Sequence, residues 1–225
     1  MKFQNVASLW ALAAGIGAVA QDDNNPELFS KGPFALHVKG RGFNSSIDGY
    51  LYTRSINGAV PPIQLVDYYD NTNTPSFDNS SFRFYFNYTG LTQNDNGAEL
   101  GFIVSDIANP DAPPTGAGSH GMAMNLEYRP NTNVATPMLG RATANNVDYT
   151  AFDEEGKLFL NYWIDDADAV TGEPVSIGRD LNIYNWAICW AESYGIAAKT
   201  LSWITTGKPH NPTCELVDLM KVAIS

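Results

Sequence analysis

The sequence predicts an all-β fold, a single-domain antiparallel β-barrel or β-sandwich, with a β-trefoil as the alternative. Three observations carry this. Apolar residues recur at every second position almost throughout the chain. Gly, Pro, Asn and Asp cluster between the alternating runs, as in "NTNTPSFDNS", "ANPDAPPTGAGSHG" and "DEEG". No segment holds a helical period of 3.6 for three turns.

The elements follow in order. "PFALHVKG" sets Phe34, Leu36 and Val38 against Ala35, His37 and Lys39. "DGYLYTRSI" and "PPIQLVDYY" read as the next strands. "SSFRFYFNYTG" places Phe82, Phe84, Phe86 and Tyr88 on one face, with Arg83, Tyr85 and Asn87 between them. The aromatic face is expected to be core, because half-buried strands select aromatic residues. Asn87 would then face solvent. "LGFIVSD" and "GMAMNLEYRP" alternate in the same way. "NVDYTAF" follows, and "KLFLNYWI" is apolar on both faces, as a central strand requires. "NIYNWAICW" is expected to turn Tyr184, Trp186, Ile188 and Trp190 into the core. Its small face, with Ala187 and Cys189, should lie under the segment fastened by Cys214. "KTLSWITT" and "CELVDLMKV" close the count at about twelve strands.

The ends and the composition bound the function. Residues 1–20, "MKFQNVASLWALAAGIGAVA", carry Lys2, an apolar run and an A-x-A pattern, which together predict a secretory signal peptide. Residues 21–32 are expected to be a flexible mature N-terminus, and 33–225 one β-rich domain. The formal net charge is −11, with 13 basic and 24 acidic residues; losing Lys2 leaves 12 against 24, or −12. Such a chain is expected to repel nucleic acid and anionic lipid. No segment beyond the leader is long and apolar enough to predict membrane insertion. The expected location is secreted, extracellular or in the cell wall.

The two cysteines, Cys189 and Cys214, are an isolated even pair, expected to be bridged in an oxidising compartment. Asn44, Asn79 and Asn87 each begin an N-x-S/T acceptor, which predicts a glycoprotein. No cofactor is expected. The three histidines, His37, His120 and His210, show no metal-ligand spacing. "GAGSHG" spells G-x-G-x-x-G but lacks the preceding strand and following helix that a phosphate cradle needs. Ser119 beside His120 has no nucleophile elbow around it. Asp165, Asp166 and Asp168 are the weak metal candidates; their spacing fails an EF-hand, because Thr171 stands where glycine is required. Asp153, Glu154 and Glu155 could supply the paired carboxylates of a glycoside hydrolase, or simply a solvated turn.

One family resemblance is carried by "NWAICWAESYG" and "KTLSWITTGKPHNPTCELVDL", with Trp-x-x-Cys and then Pro-x-Cys-x-x-Val-x-Leu. "FALHVKGRGFNSSIDGYLYTRSINGA", "FRFYFN" and "YTAFDEEGKLF" fall in the matching order upstream. Across residues 33–220 the chain resembles small secreted fungal proteins of unknown biochemistry, some labelled hypersensitive-response-inducing elicitors or cell-wall-associated proteins. It departs from them by insertions around 105–120 and 165–180. The resemblance implies a compact secreted β domain, a Cys189–Cys214 bridge and no known active site. The expected function is that of a secreted non-catalytic fungal-type glycoprotein at the cell surface or in host interaction. The partners would be cell-wall polysaccharide or a host surface component. A carbohydrate-binding module and a glycoside hydrolase are the alternatives.

Overall fold

The computed structural model describes residues 29–56, 63–70, 75–105, 122–140, 148–164, 170–173 and 177–224. Its strands are β1 (Phe29–Gly40), β2 (Asp48–Ser55), β3 (Gln64–Tyr69), β4 (Phe84–Gln93), β5 (Glu99–Ser105), β6 (Ala123–Glu127), β7 (Val134–Gly140), β8 (Thr150–Phe152), β9 (Leu158–Ile164), β10 (Ile177–Ile183), β11 (Trp186–Ser193), β12 (Ile196–Ile204) and β13 (Glu215–Ala223). A single 3-10 turn is described, Ser80–Phe82. All thirteen strands belong to one sheet, and every described pairing between them is antiparallel.

The sheet closes on itself. From β5 the pairings run through β4, β1, β13, β11, β12, β7 and β6, and Val104 opposite Ala123 returns the path to β5. β2 bridges β1 and β3, while β8, β9 and β10 extend from β5. Closure hides strand edges that would otherwise be open to pairing with another chain. The result is the all-β, barrel-like fold expected from the period-two pattern.

The inner face follows from that alternation. Phe34, Leu36 and Val38 of β1, Phe84 and Phe86 of β4, Leu158 and Leu160 of β9, and Val217 and Leu219 of β13 meet in one buried cluster. Trp186 is fully buried at its centre, its ring 4.8 Å from that of Trp203 and its Nε1 donating to the Leu158 carbonyl at 2.8 Å. Both faces of β9 are covered, since Phe159 packs outward on Leu100 and Ala151. Gly101 makes one close approach possible: a Cβ there would stand 2.2 Å from the Asn87 carbonyl oxygen.

Four expectations need correction. β1 begins at Phe29, so residues 29–32 are strand rather than a flexible arm; Gly32–Pro33 forms an irregularity within the β1–β4 pairing, not a boundary. Phe82 does not share the row of Phe84. It belongs to the 3-10 turn and packs on Tyr52 and Tyr69 instead. "NIYNWAICW" is two strands, because the chain turns at Tyr184–Asn185, where the Trp186 N–H donates to the Tyr184 carbonyl at 2.8 Å. β7 was not anticipated, because Pro137 interrupts its pattern. The proline falls between the residues that pair with β12, Val134 and Ala135, and those that pair with β3, Met138 and Leu139.

Candidate functional site

The outer face of β2 carries Tyr50, Tyr52 and Arg54, because Leu51 and Thr53 point inward. Register then builds a row across four strands. Tyr52 stands opposite Asp67, Asp67 opposite Thr200, and Thr200 opposite Cys189. The 3-10 turn lies over the near end of this face, with the Asn79 side chain capping it by accepting from the Ser81 N–H at 3.0 Å. Tyr52, Tyr69 and Phe82 pack as a triad with ring centroids 5.3–6.2 Å apart. Together with Thr53, Arg54, Ser55, Asn79 and Ser81 they line an open groove of about 460 Å³.

A buried ion pair lies behind the rings. Arg54 Nε donates to Asp67 Oδ2 at 2.5 Å, and Asp67 is fully buried. Arg54 Nη1 and Nη2 and Asp67 Oδ1 make no hydrogen bond in the protein. Burial raises the Asp67 carboxyl above its usual range, and the Arg54 guanidinium offsets only part of that. Burial also raises the Tyr52 phenol, with the Asp67 charge adding to it, so Tyr52 stays a neutral hydroxyl.

A second feature stands at the barrel rim. Trp190 follows Trp186 and Ile188 on the inward-facing row of β11, yet it is 54 % exposed while they are buried. β13 pairs with β11 only at Ala187 and Ile188, so on that flank the pairing stops short of Trp190, while β12 stays paired on the other. A loop replaces the missing strand. The Trp190 N–H donates to Thr213 Oγ1 at 3.0 Å, and Asn211 Nδ2 donates to the Trp190 carbonyl at 2.9 Å. Asn133 holds that loop: its Nδ2 donates to the Lys208 carbonyl at 2.7 Å and its Oδ1 accepts from the His210 N–H at 2.8 Å.

Cys189 and Cys214 are bonded, with Cα atoms 4.1 Å apart, and with Ala187, Ile204 and Val134 they form a small outer cluster. The small face of β11 thus lies under the bridged segment, as expected. Asn44 and Asn79 are exposed. Asn87 is 2 % exposed and its Oδ1 has no hydrogen-bond partner, which overturns the expectation that it faces solvent. The reason is a second apolar layer. Its neighbour Phe102 on β5 packs with Tyr85 against Val104 and Ala123, so the outer face of β4 is covered as well.

Asp165, Asp166, Asp168, His120, Ser119 and the rest of "GAGSHG" lie outside the described residues, as does the leader. Among the described residues, no group of three His, Cys, Asp or Glu could hold a metal ion. Asp153 is committed to its turn. Its Oδ1 accepts from the N–H groups of Glu155 and Lys157 at 3.1 and 2.8 Å, and its Oδ2 accepts from the Tyr184 hydroxyl at 3.0 Å. Desolvation and that bond push the Tyr184 phenol up to about 12. Asp148 is raised by burial, and it accepts from the Leu126 N–H and the Tyr162 hydroxyl at 2.8 and 2.9 Å. Asp153 and Asp148 therefore both serve local fold contacts.

No family model matches the chain, and no curated protein or solved structure matches it either. The groove had one sequence signal: in "DGYLYTR", Tyr50, Tyr52 and Arg54 share a parity opposite to Leu51 and Thr53. Phe82, which completes the groove, arrives from a turn that no alternation could foretell.

Proposed function

We propose that this protein is a secreted, non-catalytic glycoprotein of fungal type that acts at the cell surface or in a host-facing space, and that it acts by binding carbohydrate. The groove lined by Tyr52, Tyr69 and Phe82 carries this reading. Aromatic rings offer flat apolar faces to the C–H side of a sugar, and a few convergent polar groups orient it. Here Arg54, Ser55, Asn79 and Ser81 supply those polar groups beside the rings. A disulfide supports an oxidising compartment. Among the described residues no helix is long and apolar enough to cross a membrane. The resemblance to secreted fungal proteins points the same way.

The test is co-sedimentation of the purified protein with insoluble chitin, cellulose and β-1,3-glucan, repeated with Tyr52→Ala and Tyr69→Ala. The protein should bind at least one polysaccharide, and the variants should weaken binding about tenfold, or ~1.4 kcal/mol, while keeping the wild-type circular dichroism. A wild-type protein that stays in the supernatant with all three contradicts the reading.

A further inference from the structure

We propose that Trp190 is a second carbohydrate contact, a fixed stacking platform at the barrel rim for one pyranose ring of a neutral polysaccharide. This rests on the carbohydrate reading above but uses a different face of the molecule. The groove lies on the outer face of β2 and β3, whereas Trp190 continues the inward-facing row of β11 past the end of the core.

Exposure alone would be ordinary for a surface residue. What sets Trp190 apart is how firmly its backbone is held while its ring stays open. Its N–H and carbonyl are both bonded to the loop at 211–213, Lys199 is its partner across β12, and its neighbour Cys189 is bridged to Cys214. That loop is fastened in turn by Asn133, which is 7 % exposed. Ordering a flexible loop on binding costs free energy, and a preorganised contact avoids that cost.

The surroundings select the ligand class. Cross-strand pairs share a face, so Trp190 and Lys199 lie with Glu192 and Ala197 on one side of the hairpin. The exposed Ile196 pairs with Ser193 on the opposite side. Trp190 therefore shares its face with the charged Lys199 and Glu192 and the small Ala197, and with no other exposed large hydrophobic of the two paired strands. Lys199 Nζ bonds Asp70 at 3.2 Å and lies over the Tyr68 ring at 5.5 Å, so its charge is already compensated. A chain of net charge −11 is repelled by anionic lipid. One flat ring flanked by charged and polar side chains suits a neutral sugar, which presents an apolar C–H face and hydroxyls at its edge.

The experiment titrates wild type, Trp190→Ala, Trp190→Phe and Tyr52→Ala with soluble β-1,3-glucan and with chitohexaose by calorimetry, after a thermal melt of each variant. Trp190→Ala should weaken binding about tenfold with an unchanged melting temperature, and Trp190→Phe should restore most of it, because a ring face is what the contact needs. Wild-type affinity in Trp190→Ala, or an equal loss in both Trp190 variants, overturns the platform. If only Tyr52→Ala loses binding, the groove stands and the platform falls. If the wild-type protein binds neither sugar, both fall.

Discussion

Two aromatic rows look alike in the sequence and end differently in the fold. On β4, Phe84 and Phe86 are buried at 1 % and 4 % exposure, and even Asn87 on the opposite face is closed at 2 %. On β11, Trp186 and Ile188 are buried but Trp190, next in the same row, emerges at the rim. The difference is the neighbours. β4 has partners on both sides, with β1 reaching Tyr88 and β5 reaching Gln93. β11 loses β13 after Ile188 and gains a loop instead. Alternation assigns side chains to faces; the extent of the flanking strands decides where a face stops being core.

The largest effect should come from the first row. Phe84→Ala should cost about 3–5 kcal/mol in denaturant unfolding, the usual range for emptying a buried phenylalanine site. A loss within error would mean that the β4 row is not core. In the second row, removing the bridge with Cys189→Ala plus Cys214→Ala should cost about 3.5 kcal/mol by the loop-closure model for a separation of 25 residues. It should also loosen the loop at 211–213, visible as faster hydrogen exchange at the Trp190 amide. Unchanged exchange there would show that Asn133 alone holds the loop.

Asn87→Gln sharpens the comparison from the covered side. One more methylene in a closed site should cost about 1–3 kcal/mol. Protein secreted from a eukaryotic host should lose one glycan in Asn44→Gln, where the acceptor is exposed and outside the groove, by mass spectrometry, and none in Asn87→Gln. A glycan on Asn87 in the folded protein would show that the outer face of β4 opens.

A smaller effect separates the polar row from both aromatic ones. A raised Asp67 carboxyl means that the folded chain holds the proton more tightly than the unfolded chain. Its contribution therefore grows as pH falls through the raised folded value and is complete below the ordinary value of 3.8. Asp67→Asn should remove that part of the slope of stability against pH and shift stability at neutral pH by less than about 1 kcal/mol, since a neutral amide can still accept from Arg54. Stability that rises less with increasing pH in the variant than in wild type would mean that Arg54 holds the carboxyl below its usual range.

Much of this was legible in advance, for stated reasons. Period two located the strands around Phe34, Leu126 and Leu219, because one-sided burial imposes it, and the continuous apolar run around Phe159 located the strand covered on both faces. The bridge followed from two cysteines in a chain with a leader-like start. β7 was hidden by Pro137, whose place between two partner strands is a property of the whole sheet. The open side of Trp190 was hidden because its alternation is identical to that of Ile188. The groove needed Phe82 to come from a turn, and no local pattern encodes what lies over a sheet.

The most direct measurement is the denaturant unfolding free energy of Trp190→Ala beside that of Phe84→Ala. Trp190→Ala should lie within about 0.5 kcal/mol of wild type, as surface substitutions do. A loss for Trp190→Ala as large as that for Phe84→Ala would contradict the account, because it would place Trp190 in the core.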